Sequence, residues 1–186
     1  MRFVANEIYH IYNRGNNRNE IFFNKKNYSY FLNKLRDHFL VHFDLLAYCL
    51  MPNHFHLLAL SKESIVNKKA IASFALILSS YSQGINKQEK RTGSIFQKKT
   101  KAKSLGTNIS YLGACLRYIH QNPCKAKLAD KFEDWEFSSF RDYAGLRNDS
   151  LCNITTCFEL LSFEDKKEFY EWSNLGLDED LIKNIF

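Results

Sequence analysis

Two histidines flank one apolar residue in the run Met51-Pro52-Asn53-His54-Phe55-His56-Leu57-Leu58. Alternate side chains of a β-strand share a face, so His54 and His56 point one way and Phe55 the other. Two imidazoles side by side make half of a metal site, whereas a lone histidine in such a run is more simply a hydrogen-bonded core residue. A second segment, Arg117-Tyr118-Ile119-His120-Gln121-Asn122-Pro123, adds the other half. At about 100° per helical residue, Leu112, Leu116 and Ile119 form a face that should pack on a sheet. Tyr111, Tyr118 and Asn122 line one flank of that face, with Tyr118 and Asn122 an i, i+4 pair. A tyrosine oxygen is a usable nucleophile when its target is polarised. A divalent ion held by His54, His56 and an oxygen ligand such as Asn122 would polarise a phosphate, and mixed nitrogen and oxygen ligation suits Mg2+ or Mn2+. Tyr118 also has a plainer reading, as an amphipathic residue at a helix edge.

The charge pattern names a partner for such a site. Residues 1–129 carry 20 Lys and Arg against 6 Asp and Glu, a net of +14, while residues 130–186 carry 6 against 14, a net of −8. A basic body with an acidic tail suggests that the first part faces a polyanion such as nucleic acid, although basic solvated surfaces are common. Hydrophobic residues are 45% and aromatics 15% of the 186, enough for a sizeable core and too many for disorder. No apolar run approaches the ~20 residues that span a bilayer, so no membrane is expected. Glu7 precedes any apolar run, so no secretory leader is expected. The five cysteines are irregularly spaced with no C-x-x-C pair, which argues against a zinc ribbon or a disulfide framework and favours a reducing cytoplasm.

Certain elements must position these residues. Ile8 to Asn13 reads as a strand ending in the polar turn Arg14-Gly15-Asn16-Asn17-Arg18. Lys25 to His42 reads as a helix with Tyr28, Phe31, Leu32, Leu35 and Phe39 on one face. Phe43–Leu50 and His54–Leu60 read as a hairpin about Met51-Pro52-Asn53. A second helix is expected from Asn67 to Asn86, and a short fourth strand at Ser94-Ile95-Phe96-Gln97. The lysines 98, 99, 101 and 103 follow that strand. A third helix is capped by Thr107 or Asn108 and expected to end before Pro123. This order is the ferredoxin-like β-α-β-β-α-β pattern, an α+β fold with an antiparallel sheet and helices on one face, followed by an added helix. The chain divides at residue 129: 1–129 as the catalytic domain, and 130–186 as an acidic helical extension packed on it. Two helical stretches are expected in that tail, at 155–173 and 177–185.

Taken together these motifs resemble the single-tyrosine transposases with a His-hydrophobic-His motif, and more narrowly the REP-associated tyrosine transposases. Tyr12 to Arg18 with Ile21-Phe22, Tyr48 to Leu58, Tyr118 to Pro123, and Trp135 through Tyr143 carry the resemblance, over about residues 3 to 145. It implies metal-dependent cleavage and rejoining of single-stranded DNA at hairpin-forming repeats, through a 5′-phosphotyrosine intermediate. It implies Tyr118 as nucleophile, His54, His56 and Asn122 as metal ligands, with His120 and Gln121 as weaker candidates, and Mg2+ or Mn2+ as the metal. Arg14, Asn16, Asn17 and Arg18 would hold the flanking strand, and Lys98, Lys99, Lys101 and Lys103 the phosphate backbone. The segment Cys124-Lys125-Ala126-Lys127 departs from the family pattern, and residues 146–186 carry no motif of it. Monomer and homodimer both remain open. The competing reading is a catalytically silent module that binds single strands by stacking on Tyr9, Tyr12 and Phe96.

Overall fold

Four antiparallel strands, β1 (Ile8–Arg14), β2 (Phe43–Met51), β3 (His54–Ser61) and β4 (Lys101–Gly106), pair in the spatial order β2-β3-β1-β4. That is the ferredoxin-like order expected from the sequence. The computed structural model describes residues 1–149, 151–177 and 179–185. Seven helices accompany the strands among the described residues: α1 (Lys25–Lys34), α2 (Asn67–Gln88), α3 (Ile109–Lys125), α4 (Phe140–Tyr143), α5 (Ile154–Leu161), α6 (Lys166–Ser173) and α7 (Glu179–Ile185).

Both faces of the sheet are covered, not one. Tyr9, Ile11, Tyr48, Leu50, Phe55 and Leu57 meet Tyr28 and Phe31 of α1 and Phe74, Ile77 and Tyr81 of α2 in the first core. Ile8, Cys49, Met51 and Leu58 point the other way, to Leu112, Cys115, Leu116 and Ile119 of α3. Phe140, Tyr143, Cys157 and Phe169 from residues beyond 130 complete this second core. The near-continuous apolar runs of β2 and β3 follow from burial on both sides. A bulge between Leu45 and Ala47 sends Leu46 and Ala47 together into the second core, against the usual alternation.

Four local expectations change. The fourth strand lies at Lys101–Gly106, not Ser94–Gln97. Ile95 and Phe96 are instead buried as an apolar plug in the first core, with one isolated bridge from Phe96 to Gly15. An edge strand with alternating lysines resists further pairing, which is why so polar a segment serves there. Helix α1 gives way after Lys34 to a π-helical turn at Leu35–Phe39. Helix α3 runs through Pro123 to Lys125. The proline stands in the last turn, so only one hydrogen bond is lost and Ala126 N–H still reaches Asn122 O at 2.9 Å. The expected stretch 155–173 is two helices, parted at left-handed Ser162 (φ 57°). In the last expected stretch, residue 178 lies outside the described residues.

The segment before α4 closes the free edge of β2. Leu50 N–H donates to Phe137 O (2.9 Å), Ser139 N–H to Tyr48 O (3.0 Å), and Trp135 Nε1–H to Leu50 O (2.9 Å). Arg147 clasps it there. Its guanidinium binds both carboxylate oxygens of buried Asp142 (2.7 and 2.6 Å) and donates to Tyr48 Oη, Ser138 O and Glu136 O. Arg147→Met strands the Asp142 carboxylate, and chemical denaturation should show a loss of about 3–5 kcal/mol.

His120 joins the same layer, its Nε2 2.8 Å from Ser139 Oγ, and burial lowers its imidazole to about 3. Unfolded histidine takes up a proton near 6.5, so below that pH the unfolded chain binds more protons and stability falls as pH falls. From pH 6.5 to 5 this residue should contribute about 2 kcal/mol of that loss. In His120→Gln the gap between denaturation curves at pH 7 and 5 should shrink by that amount.

Candidate functional site

The pairing of β1 with β3 sets Tyr12 opposite His56 and Arg14 opposite His54. β4 sets Lys101 opposite Tyr12, and β2 sets Met51 opposite His54 and Cys49 opposite His56. Directly opposed residues share a face. One face of the sheet therefore passes from apolar Ile8 and Leu58, through His10 and His56, to Arg14 and His54 at the strand ends. Over this face lies α3. Tyr118 stands edge-on to His56, ring centroids 5.5 Å apart at 86°, and to His10 at 6.4 Å and 72°. Leu112, Leu116 and Ile119, all buried, seat the helix so that Tyr118 falls at its edge.

A cleft of about 370 Å³ opens there. His54, His56 and Tyr118 line it together with Tyr12, Asn13, Asn53 and Gln97. Four cations, Arg14, Arg18, Lys99 and Lys101, complete the lining, and no carboxylate among the described residues does. Such a lining selects an anion. The imidazoles themselves add no charge. Burial and the neighbouring Arg14 lower His54 to about 4, and burial, then His10 and His54, carry His56 well below its usual 6.5. Burial lowers His10 to about 3. All three rings are neutral at pH 7, the state in which imidazole ligates metal. Burial pushes the Tyr118 phenol up, so it is a neutral hydroxyl at that pH.

Hydrogen bonds orient the rings. His54 Nδ1 lies 2.6 Å from Asn53 Oδ1, and His56 Nδ1 lies 2.9 Å from His10 Nε2. The His10 ring stacks on Tyr12 (4.6 Å, 19°) and lies nearly coplanar with His56, centroids 5.1 Å apart at 14°. The rings of His54 and His56 are 5.1 Å apart and nearly perpendicular. Coordination through Nε2 would leave both Nδ1 bonds intact.

The residues expected from the sequence divide into three groups. His54, His56, Tyr118, Arg14, Arg18, Lys99 and Lys101 come together in the cleft. Asn122 does not line it; its buried side chain is hydrogen-bonded to Tyr118 one turn away. Asn16, Asn17, Lys98 and Lys103 lie outside the lining. The Asn16 amide donates to Ser94 O (2.8 Å), Asn17 and Lys98 are exposed, and Lys103 stands further along β4 opposite His10. The weaker candidates point elsewhere, His120 to Ser139, and Gln121 to the carbonyls of Ser173 and Leu175 (2.9 and 3.1 Å). Of the three stacking aromatics, Tyr9 and Phe96 are buried in the core, and Tyr12 alone reaches the cleft.

Sequence reasoning passed over His10 and Asn53. For His10 a signal was present. His10, Tyr12 and Arg14 follow the same two-residue period as His54 and His56, so all share one face once the strands pair in register. Asn53 gave no such signal, because a turn asparagine is ordinary.

The two neutral imidazoles of His54 and His56, on one face of the sheet, are of the kind that ligate a divalent ion. Among the described residues no three His, Cys, Asp or Glu cluster to hold one. The cleft itself offers two neutral imidazoles, His54 and His56, and the buried amide of Asn122 lies outside its lining, one helical turn from Tyr118.

The family model described as "Transposase IS200 like" matches residues 3–122. No curated protein matches the chain. A solved structure of a REP-associated tyrosine transposase bound to a REP hairpin is similar with a TM-score of 0.60 and 17% identity, over 83% of this chain and 86% of that one. At that identity the likeness is one of fold.

The loop that presents Arg18 is tightly constrained. Asn17 and Arg18 both have positive φ (55° and 60°), and a Cβ at Gly15 would run into the Asn19 carbonyl oxygen. Gly15→Ala should cost about 1–3 kcal/mol or more by chemical denaturation, as overpacked sites do.

Proposed function

This chain belongs to the IS200-like transposase family, and on that premise we propose that it cleaves and rejoins single-stranded DNA at hairpin-forming repeats, with Tyr118 as nucleophile. The observation that carries the proposal is the meeting of Tyr118 with His54 and His56 in one cleft whose other charges are all positive. The fold relative bound to a REP hairpin supports the choice of substrate.

The residues act in sequence. Arg14, Arg18, Lys99 and Lys101 draw the phosphate backbone into the cleft, an interaction that salt should weaken. Tyr12, with the Lys101 ammonium 5.6 Å from its ring centroid, offers a stacking surface beside them. Asn16, Asn17, Lys98 and Lys103 extend the contact along the strand beyond the cleft. His54, His56 and Asn122 would hold Mg2+ or Mn2+ through two imidazole nitrogens and an amide oxygen. Such an ion withdraws charge from a phosphate oxygen and so eases attack. Tyr118 forms a bond to phosphorus as the bond to the 3′ oxygen breaks. The phenol loses a proton and the departing oxygen gains one, leaving a 5′-phosphotyrosine and a 3′-hydroxyl. Rejoining reverses these steps with a second 3′-hydroxyl.

His10 holds His56 through the 2.9 Å contact and cannot itself drift, stacked as it is on Tyr12. Residues 1–129 act as the catalytic unit and 130–186 as an extension, whose packing on that unit the shared second core supports. Tyr118 stands beside the histidines of its own chain, which supports use of the tyrosine in cis, by a monomer or within a homodimer. Among the described residues no helix is long and apolar enough to cross a membrane. Five free thiols suit the cytoplasm as the place of work.

The test is adduct formation. With Mg2+ or Mn2+ and labelled single-stranded hairpins from repeats flanking its gene, the protein should form a covalent complex on a denaturing gel. Tyr118→Phe should abolish the adduct and keep hairpin binding within about threefold, since the phenyl ring remains. Tight, salt-sensitive binding with no adduct at any metal would instead favour the catalytically silent module.

A further inference from the structure

The side chain of Asn53 joins two parts of the cleft that lie far apart in sequence. Its Nδ2 donates to the main-chain carbonyl of Arg18 (3.1 Å), and its Oδ1 faces His54 Nδ1 at 2.6 Å. Gly15 closes the circuit, its N–H donating to Asn53 O (2.8 Å) and its carbonyl accepting from Arg18 N–H (3.1 Å). Asn53, Gly15 and Arg18 thus form a ring of three hydrogen bonds around the left-handed pair Asn17-Arg18.

This ring has a consequence for His54. Only the NH2 end of an amide can face a carbonyl, so the Arg18 carbonyl dictates that Nδ2 turns toward the loop. The oxygen must then turn toward His54. An amide oxygen only accepts, so His54 Nδ1 carries the proton of that contact. In a neutral imidazole the lone pair is then on Nε2. The loop carbonyl sets the amide, and the amide sets the tautomer.

We propose that Asn53 is a positioning residue that locks His54 as its Nδ1–H tautomer and ties that ring to the Arg14–Arg18 loop. The tautomer follows from the protein alone; its use in holding a metal rests on the reading given under Proposed function. Residues that hold the second nitrogen of a metal-binding histidine change affinity by about 10–100-fold when removed. By the same bonds, a phosphate drawn to Arg18 tightens the loop that orients His54.

The experiment is long-range proton–nitrogen NMR on the metal-free protein, with the His54 signals assigned by their loss in His54→Gln. The wild-type ring should be Nδ1–H. Asn53→Asp keeps an acceptor toward His54 and should keep that tautomer. Asn53→Ala removes the acceptor and should move the ring toward Nε2–H, the form free histidine prefers. A wild-type ring already in the Nε2–H form overturns the proposal, and that measurement stands even if Asn53→Ala fails to fold. So does an Asn53→Ala ring that stays Nδ1–H. In a parallel titration followed by electron paramagnetic resonance, Asn53→Ala should bind Mn2+ 10–100-fold more weakly and Asn53→Asp should recover most of the loss. Equal Mn2+ affinity in wild type and Asn53→Ala also counts against it. Failure of the wild type to bind Mn2+ counts against the metal in the proposed function, and the tautomer then decides this proposal on its own.

Discussion

The register between β1 and β3 is the constraint from which the rest follows. It places Tyr12 against His56 and Arg14 against His54, on the face that also carries Ile8 and Leu58 into the second core. The same strands serve as the floor of a dry core at one end and the wall of a charged cleft at the other. A slip of one residue in β3 would turn both histidines into the layer of Phe31, Phe74 and Tyr81 and expose Phe55 in their place. The packing of Phe55 against Phe31 and Phe74 therefore protects the site indirectly, because it makes that slip costly.

Helix α3 meets this face under tight control. Ile119 is buried on the sheet, while residues on either side reach different neighbours. The Arg117 guanidinium lies over the Trp172 ring at 4.6 Å and donates to Gly176 O. Gln121 holds the carbonyls of Ser173 and Leu175, and His120 holds Ser139. The helix is thus gripped on three sides, and Tyr118 occupies the fourth, toward the cleft. Residues 146–186, which carry no motif of the family, supply two of those grips, at Arg117 and Gln121.

Charge stands at the rim of the cleft, away from its imidazoles. The imidazoles are neutral through burial, and the positive charge stands on arginine and lysine side chains at the rim. A site of this kind attracts a polyanion by its rim while its interior rings stay uncharged. Hydrogen bonding at Nδ1 of both His54 and His56 fixes the orientation of each ring.

The sequence alone determined the β-α-β-β-α-β succession, the shared face of His54 and His56, and the helix edge carrying Tyr118, because these depend only on local periods of two and 3.6 residues. It also located the basic body and the family resemblance. It misplaced β4, since Ile95 and Phe96 look like strand residues until the first core is seen to need them as a plug, and it ended α3 too soon because a proline in a last turn costs little. Only the tertiary structure decided that the sheet is covered on both faces, that His10 backs His56, and that Asn53 binds both His54 and Arg18. Each of these joins residues tens of positions apart, and such pairings are set by packing and register, which no local period encodes.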